Sequence, residues 1–371
     1  MKTVLVTGAG GFVGKNLTEA LRRREGVRLI GVDVDADDGE WKRGLDEADV
    51  IFHLAGVNRP RQEGEFALVN EGVTERILLH LEKCDQHPLI LFASSIQALN
   101  DNPYGRSKKR AEEMIASFCA KHGGNAFIYR LKNVFGKWCR PNYNSVVATF
   151  CHSIACGEPI TVDDPNKVLE LVYIDDVVRS MLDSAFSRKQ PCGAEYVEVE
   201  LSFRTTVGQL AERISSFRDM RDSLLIPDMS DAFARRLYAT YLSYHAGQAV
   251  SYQLQIKSDN RGSLAELFKS PTFGQLFISR TKPGIVRGNH YHNSKAEKFV
   301  VVQGEAVIRF RHIADNTTFD VRVRGEDFRI VDIPPGYTHS IENLSDGEMV
   351  VLFWANEIFD PHSTDTYPAE V

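Results

Sequence analysis

Apolar and polar positions follow two different rhythms along this chain of 371 residues. Up to about residue 185, short β-branched and apolar runs alternate with amphipathic stretches of helical length. Thr3–Thr7, Val27–Val32, Val50–Leu54 and Leu89–Ala93 read as strands, and a helix is predicted from Phe12 to Arg24. That alternation predicts βαβ units and a doubly wound parallel sheet, with helices on both faces. From about Leu254 the runs shorten. Gly274–Ser279, Lys298–Gln303, Ala306–Arg311, Phe319–Val323 and Met349–Trp354 are joined by Gly, Pro, Asn and Asp. This second pattern predicts an all-β sandwich or barrel. The stretch Tyr241–Ser251 reads as the join, which divides the chain into 1–245 and 246–371.

Composition narrows the class. A chain of this length carries a prior of two or three domains. Its hydrophobic share of 43% and charged share of 25% are those of a globular protein with real cores. The net charge is −6, and Lys and Arg are spread along the chain, so nucleic acid is not expected as a partner. No run approaches the ~20 apolar residues that span a bilayer, so no membrane insertion is expected. The apolar run Val4–Val6 is too short for a signal peptide and leads straight into a glycine motif. The six cysteines (Cys84, Cys119, Cys139, Cys151, Cys156 and Cys192) form no C-x-x-C pair. Free thiols and a cytoplasmic location are the expectation.

Two constellations carry chemistry. Gly8, Gly11 and Gly14 lie between a strand and a helix, where glycines permit a tight turn and close approach of backbone to a pyrophosphate at the helix N-terminus. Asp33 ends the second strand, where a carboxylate would bind a ribose 2′-hydroxyl and repel a 2′-phosphate; this favours NAD(H). Tyr104 and Lys108 are four apart on a predicted helix and share a face, so an ammonium can lower the pKa of the phenol. Ser94 and Ser95 follow the strand Leu89–Ala93, where either hydroxyl could bind the same carbonyl oxygen. In the second half, His290 and His292 alternate on a strand, Glu297 returns on the next, and His339 comes from a later hairpin. Three imidazoles and a carboxylate suit Zn, Fe, Mn, Ni or Co.

The first set, with Phe52–Gly56, Asn70 and Tyr173–Asp176, resembles the extended short-chain dehydrogenase/reductase (SDR) superfamily. The resemblance implies a Rossmann-like fold and catalysis by Ser95, Tyr104 and Lys108, with Ser94 as the other register. It implies that Gly8, Gly11, Phe12, Gly14, Asp33, Leu54, Ala55, Gly56 and Lys108 bind the cofactor. Asn70 is equally read as a helix cap or a bridge between strands, and Arg130 as a surface ion pair. The spacings G-x5-H-x-H-x4-E-x6-G from Gly284 to Gly304, and P-x-G-x2-H-x3-N from Pro334 to Asn343, resemble the cupin superfamily. The glycine usual before the second motif is absent, the nearest being Gly325. The resemblance implies a β-barrel with a divalent metal, first of all Zn, on His290, His292, Glu297 and His339.

The whole chain resembles the CapF-type bifunctional enzymes of bacterial capsule and O-antigen biosynthesis, on the path to UDP-N-acetyl-L-fucosamine. The segments 53–60, 135–145 and 240–244 carry that likeness. It implies a cupin that epimerises C3 of a UDP-2-acetamido-2,6-dideoxy-4-ketohexose. An SDR domain would then reduce C4 with NADPH to UDP-2-acetamido-2,6-dideoxy-β-L-talose. Arg59, Arg130, Asn133 and Asn142 would touch the UDP-sugar, and the chain would pair as a homodimer through the cupin. NADPH rests on this likeness, and NADH stays open because of Asp33. His312, Tyr337 and Lys298 are candidates for the cupin base. Rival readings are a 4-ketoreductase whose cupin is structural or dimerising, an iron dioxygenase, and a 4-epimerase or dehydratase that retains NAD. Dehydratases carry an Asp-Glu pair after the catalytic hydroxyl; Ile96 and Gln97 stand there and argue against dehydration.

Overall fold

A computed structural model describes every residue except Arg61 and Glu63, and every described side chain except that of Gln248. Two compact units result. The first holds Met1–Ser215 and Arg236–Ala246, and the second Ser216–Arg235 and Gly247–Val371. Residues 216–235, read from sequence with the first half, therefore group with the second unit.

The first unit is built on a parallel sheet of β1 (Lys2–Thr7), β2 (Val27–Val32), β3 (Val50–His53), β4 (Leu89–Ser95), β5 (Asn125–Leu131) and β8 (Gly193–Val197). The strand order is β2-β1-β3-β4-β5-β8. Alternation along the strands explains the two layers. Val4, Val6, Phe52, Leu91 and Tyr129 face α1 (Phe12–Arg22) and α6 (Ile174–Phe186). Leu5, Ile51, Ile90, Phe92 and Ile128 face α2 (Asp38–Glu47), α3 (Gly72–Cys84) and α4 (Pro103–His122). Both faces are buried, so the strands read as continuous apolar runs. The order reverses between β1 and β3, and such a switch point opens a crevice at the carboxyl ends of the strands. β4 runs two residues past its predicted end, so Ser94 and Ser95 are its last two residues. A smaller sheet joins β6 (Asn133–Phe135), β7 (Val168–Tyr173) and β9 (Phe203–Thr206). The helix α5 (Val146–Ala155) also belongs to this unit, while α7 (Val207–Ser223) and α8 (Ala232–Leu242) each contain a boundary between the two units.

The second unit has two antiparallel sheets. One holds β10 (Ile256–Asp259), β11 (Gly262–Ser270), β12 (Gly274–Thr281), β19 (Met349–Ala355), β14 (Glu297–Gln303) and β17 (Ile330–Ile333) in that order. The other holds β16 (Thr318–Arg324), β15 (Glu305–His312), β18 (Tyr337–Asn343), β13 (Val286–Tyr291) and β20 (Tyr367–Pro368). Phe299, Val301, Ile333 and Val351 of the first sheet pack against Ile308, Phe310, Val323 and Ile341 of the second. All six cysteines are free. Among the described residues no helix is long and apolar enough to cross a membrane.

Candidate active site and candidate metal centre

The turn after β1 is shaped by what lies against its glycines. Gly8 has φ +69°, and a Cβ there would stand 2.8 Å from the Ala55 nitrogen. A Cβ on Gly14 would stand 2.1 Å from the Gly8 carbonyl oxygen, so α1 seats on the turn only with glycine there. Gly11 precedes α1 without a capping side chain, which leaves the first-turn N–H groups free for an anion. Asp33 lies just beyond β2. Its carboxylate accepts hydrogen bonds from the Gly10 nitrogen at 2.6 Å and the Val34 nitrogen at 2.8 Å. Behind the turn, buried His53 bridges Thr7 (2.9 Å) and Thr74 (2.8 Å). Burial, aided by the Lys108 charge, lowers its pKa to about 3 and keeps the imidazole neutral.

Tyr104, Lys108 and Ser95 meet at the carboxyl ends of β3 and β4. Ser95 stands near the Tyr104 hydroxyl and counters part of the upward push that burial gives the phenol. The net shift is upward, so the tyrosine stays a protonated acid. Lys108 is 5% exposed; its Nζ donates to the Ala93 carbonyl oxygen at 2.9 Å. Burial lowers its pKa to about 8 despite the opposing pull of Glu112. Gly56 leaves room for it, since a Cβ there would lie 3.1 Å from Nζ and 2.9 Å from Asn70 Oδ1. Asn70 exchanges hydrogen bonds with both backbone groups of Val57 and donates to Ser107 Oγ at 2.9 Å. It thus ties the β3 loop to α4, rather than capping a helix.

Ser94 has a different task. Its hydroxyl donates to Glu112 at 2.5 Å, and Glu112 also takes the Arg130 guanidinium, with Arg130 Nη2 at 2.6 Å. Arg130 further stacks over Tyr196 at 4.3 Å. Of the residues read as touching substrate, Arg130 is therefore engaged by Glu112 beside the cluster. Asn133 donates to the Glu170 carbonyl oxygen, and Asn142 (φ +55°) is tied through its backbone N–H to Thr149. Arg59, Asn133 and Asn142 are all exposed. Two residues without a motif signal matter here. Gly105 packs α4 on the 3-10 turn Ile96–Leu99, where a Cβ would lie 2.1 Å from the Gln97 carbonyl oxygen. Glu112 is the other. Its spacing from Lys108 is local, but its partners Ser94, Arg130 and Tyr196 come from β4, β5 and β8.

In the second unit, His290, His292, Glu297 and His339 place their ligating atoms within 4.8 Å of one another. A bulge between Gly288 and His290 sets His290 directly opposite His339 on β18, with ring centroids 4.5 Å apart. Glu297 Oε2 lies 3.4 Å from His292 Nε2 and 3.5 Å from His339 Nε2. Burial alone would push this carboxyl up; the two imidazoles outweigh it and hold it well below the usual range. His292 Nε2 and both nitrogens of His339 are buried without a hydrogen-bond partner. Orphaned imidazole nitrogens around a carboxylate fit a divalent ion better than a hydrogen-bonded core.

A segment with no sequence signal supports this centre. The Asp365 carbonyl oxygen accepts from His292 Nδ1 at 2.5 Å, which leaves Nε2 as the nitrogen with a free lone pair. The Asp365 carboxylate takes the backbone N–H groups of Asn293, Ser294 and Lys295 at 2.7–3.1 Å. β20 then pairs Pro368 with His290 and Tyr367 with Tyr291. The three side chains considered as bases differ. Lys298 alternates with Glu297 on β14, faces the other way and pairs with Asp332. His312 lies 3.0 Å from Asp315 and 4.8 Å, ring to ring, from half-buried Tyr337.

Comparison with known proteins accords with two joined parts. Residues 4–190 match the NAD dependent epimerase/dehydratase family, and residues 257–367 match the polysaccharide biosynthesis C-terminal domain. The chain is 41% identical over 371 residues to UDP-2-acetamido-2,6-beta-L-arabino-hexul-4-ose reductase of Pseudomonas aeruginosa, covering 99% of this chain and 98% of that one. It superposes on the crystal structure of the capsular polysaccharide assembling protein CapF from Staphylococcus aureus with a TM-score of 0.92 at 43% identity, covering 99% and 100% of the two chains. A UDP-glucuronic acid 4-epimerase from Bacillus cereus, solved with NAD, shares the fold of the first part at 17% identity and a TM-score of 0.53, over 58% of this chain and 84% of that one. The chain is an enzyme of the NAD dependent epimerase/dehydratase family, in the CapF-type branch that joins this domain to a polysaccharide biosynthesis C-terminal domain.

Proposed function

We propose that this chain epimerises C3 of a UDP-2-acetamido-2,6-dideoxy-4-ketohexose and reduces its C4 ketone, giving UDP-2-acetamido-2,6-dideoxy-β-L-talose. The observation that carries this reading is the presence, in one chain, of the Ser95–Tyr104–Lys108 cluster and the four-ligand centre on His290, His292, Glu297 and His339. The near full-length likeness to a hexul-4-ose reductase supports the substrate class. We read the second unit as a cupin, because its two facing antiparallel sheets carry the ligands at that superfamily's spacing.

In the first unit the tyrosine hydroxyl gives its proton to the C4 oxygen as hydride arrives at carbon. Burial keeps Tyr104 protonated for that task. Ser95 orients the same oxygen, and Lys108 stands behind the tyrosine with its charge unscreened by water. A reduced nicotinamide, NADPH or NADH, supplies the hydride when bound on the Gly8–Gly14 turn. In the second unit, a divalent ion held by the four side chains supplies Lewis acidity toward a carbonyl oxygen. The adjacent ketone acidifies the C3 proton, so its removal and return from opposite faces inverts that carbon. Exposed Phe319, Phe328 and Ile330 in the second unit support a homodimer formed through it. A cytoplasmic site fits six free thiols.

Proton NMR of the 4-keto UDP-sugar in D₂O, without nicotinamide, tests the whole reading. Deuterium enters at C3 with the parent protein and fails to enter with His290→Ala or His339→Ala. No exchange in the parent, with reductant still consumed once added, leaves a simple ketoreductase with a structural β-unit.

Asp33 decides the hydride donor. Replacing it with serine removes a fixed negative charge from beside the ribose, so the ratio of kcat/KM for NADPH over NADH rises about tenfold, by the loss of roughly one like-charge repulsion. Steady-state kinetics with both cofactors measure it.

Lys108 trades stability for function. Its pKa is lowered from 10.5 to about 8, so the unfolded chain holds a proton that the folded chain gives up between those values. The cost to folding is full below about pH 8 and fades as pH rises toward 10.5. Lys108→Met therefore stabilises the first unit by about 1–3 kcal/mol at pH 7, and much less at pH 10, in thermal unfolding. Ketone reduction falls at least ~100-fold in the same variant.

Asp365→Ala frees the loop that carries His292. A chelator then strips zinc about 10–100 times faster than from the parent, while reduction of a C3-epimerised substrate is unchanged. Stopped-flow release with a metallochromic dye reads the rate.

A further inference from the structure

Outside the His290 centre, one other group among the described side chains brings three metal-ligating atoms together. Asp46 lies in the last turn of α2, and His80 and Cys84 lie on α3. The carboxylate oxygen, imidazole nitrogen and sulfur all stand within 4.8 Å of one another. His80 and Cys84 are four apart and share a face of their helix. Asp46 Oδ1 is 2.8 Å from His80 Nε2, and Cys84 Sγ is 3.7 Å from the same nitrogen. A single imidazole nitrogen offers one lone pair or one N–H, so it cannot hydrogen-bond both partners well. Around an ion bound at ~2.0 Å to N and O and ~2.3 Å to S, tetrahedral neighbours lie about 3.3–3.5 Å apart. Both distances from His80 Nε2 are within about half an ångström of that spacing.

We propose that Asp46, His80 and Cys84 form a second metal site, for a borderline-soft divalent cation of the zinc class. Thiolate, imidazole and carboxylate together suit that class and disfavour magnesium or calcium. Asp46 Oδ2 is held by Lys42 Nζ at 2.8 Å, which turns Oδ1 toward the histidine and offsets one negative charge of the filled site. Gln86 Nε2 donates to the Asp46 carbonyl oxygen at 2.9 Å and fastens the end of α2 beside the end of α3. His80 is only 19% exposed at its side chain and Asp46 33%, while Cys84 is open to solvent, so an ion can enter and keep a water as its fourth ligand. Binding takes the ion in as the thiol releases its proton to water, so affinity falls as pH drops. The bound ion clips α2 to α3 on one face of the parallel sheet. The pair His152–Cys156 has the same spacing and a 3.3 Å contact, but no third ligand joins it among the described residues.

The test uses the full chain with its thiols reduced, titrated with Co(II). The His290 centre has no sulfur donor, so a near-ultraviolet sulfur-to-cobalt charge-transfer band does not come from it, and loss of the band in Cys84→Ser assigns it to this site rather than to another thiol such as Cys156. The band saturates at one equivalent, is bleached by Zn(II), is absent in Cys84→Ser and needs at least tenfold more cobalt in His80→Ala. It persists in His290→Ala, which separates this site from the one on which the proposed reaction depends. Exposed Cys84 is replaced without loss of fold, which circular dichroism checks. Absence of the band in the parent at saturating cobalt, or its survival in Cys84→Ser, overturns the proposal.

Discussion

Holding a lysine ammonium out of water is the constraint on which the first unit's chemistry depends. Lys108 is 5% exposed, and its Nζ donates to the Ala93 carbonyl oxygen. To seat it, three features must coincide. Gly56 withholds a Cβ from the space beside Nζ, and Gly105 lets α4 close on the Gln97 carbonyl oxygen. Asn70, buried on the π-helical turn Phe66–Glu71, bonds the β3 loop to Ser107 on α4. π-turns are rare and concentrate at functional sites, where the wider turn sets a side chain in a register an α-helix would miss. If α4 withdrew, Tyr104 would move away from Ser95 on β4, and the cluster would come apart.

The second unit meets a related constraint with the opposite sign. There, nitrogen atoms rather than a cation are left without partners inside the protein. Each unsatisfied buried polar atom costs about 1–3 kcal/mol, and an ion at this centre would relieve one nitrogen on each of His292 and His339. The backbone brings the four side chains together. The bulge at Gly288, with φ +101°, and Asn289, with φ +59°, sets His290 against His339. Asp365 fixes which nitrogen of His292 points inward. It does so with its carbonyl oxygen, while its carboxylate holds the loop 293–295 that the histidine begins.

Local spacing made part of this legible. The glycine turn, the helical pair Tyr104 and Lys108 and the run from His290 to Glu297 each lie within one turn, helix or hairpin, so their geometry follows from the period of the element. The parallel sheet was legible for the same reason. What stayed hidden is tertiary. Nothing near Asp365 marks it, because its partner His292 lies 73 residues away. Ser94 and Ser95 could not be separated by sequence, since the choice depends on Glu112 reaching back from α4 to take Ser94. Arg130 is held by that same carboxylate, which answers the ion-pair reading of it.

A spacing of four on a helix therefore carries little meaning until burial is known. Tyr104–Lys108, Lys108–Glu112, His80–Cys84 and His152–Cys156 all share it. Desolvation sorts them. Lys108 and Glu112 are 5% and 1% exposed, so their neighbours act on them at low dielectric and their partners are fixed. His152 is half-buried beside exposed Cys156, and no third donor joins them among the described residues. His80 is half-buried in the same way, but Asp46 of α2 joins it and Cys84. The sequence pattern is the same in all four, and the chemistry available to each is decided by how far the surrounding fold excludes water and by which further groups it brings alongside.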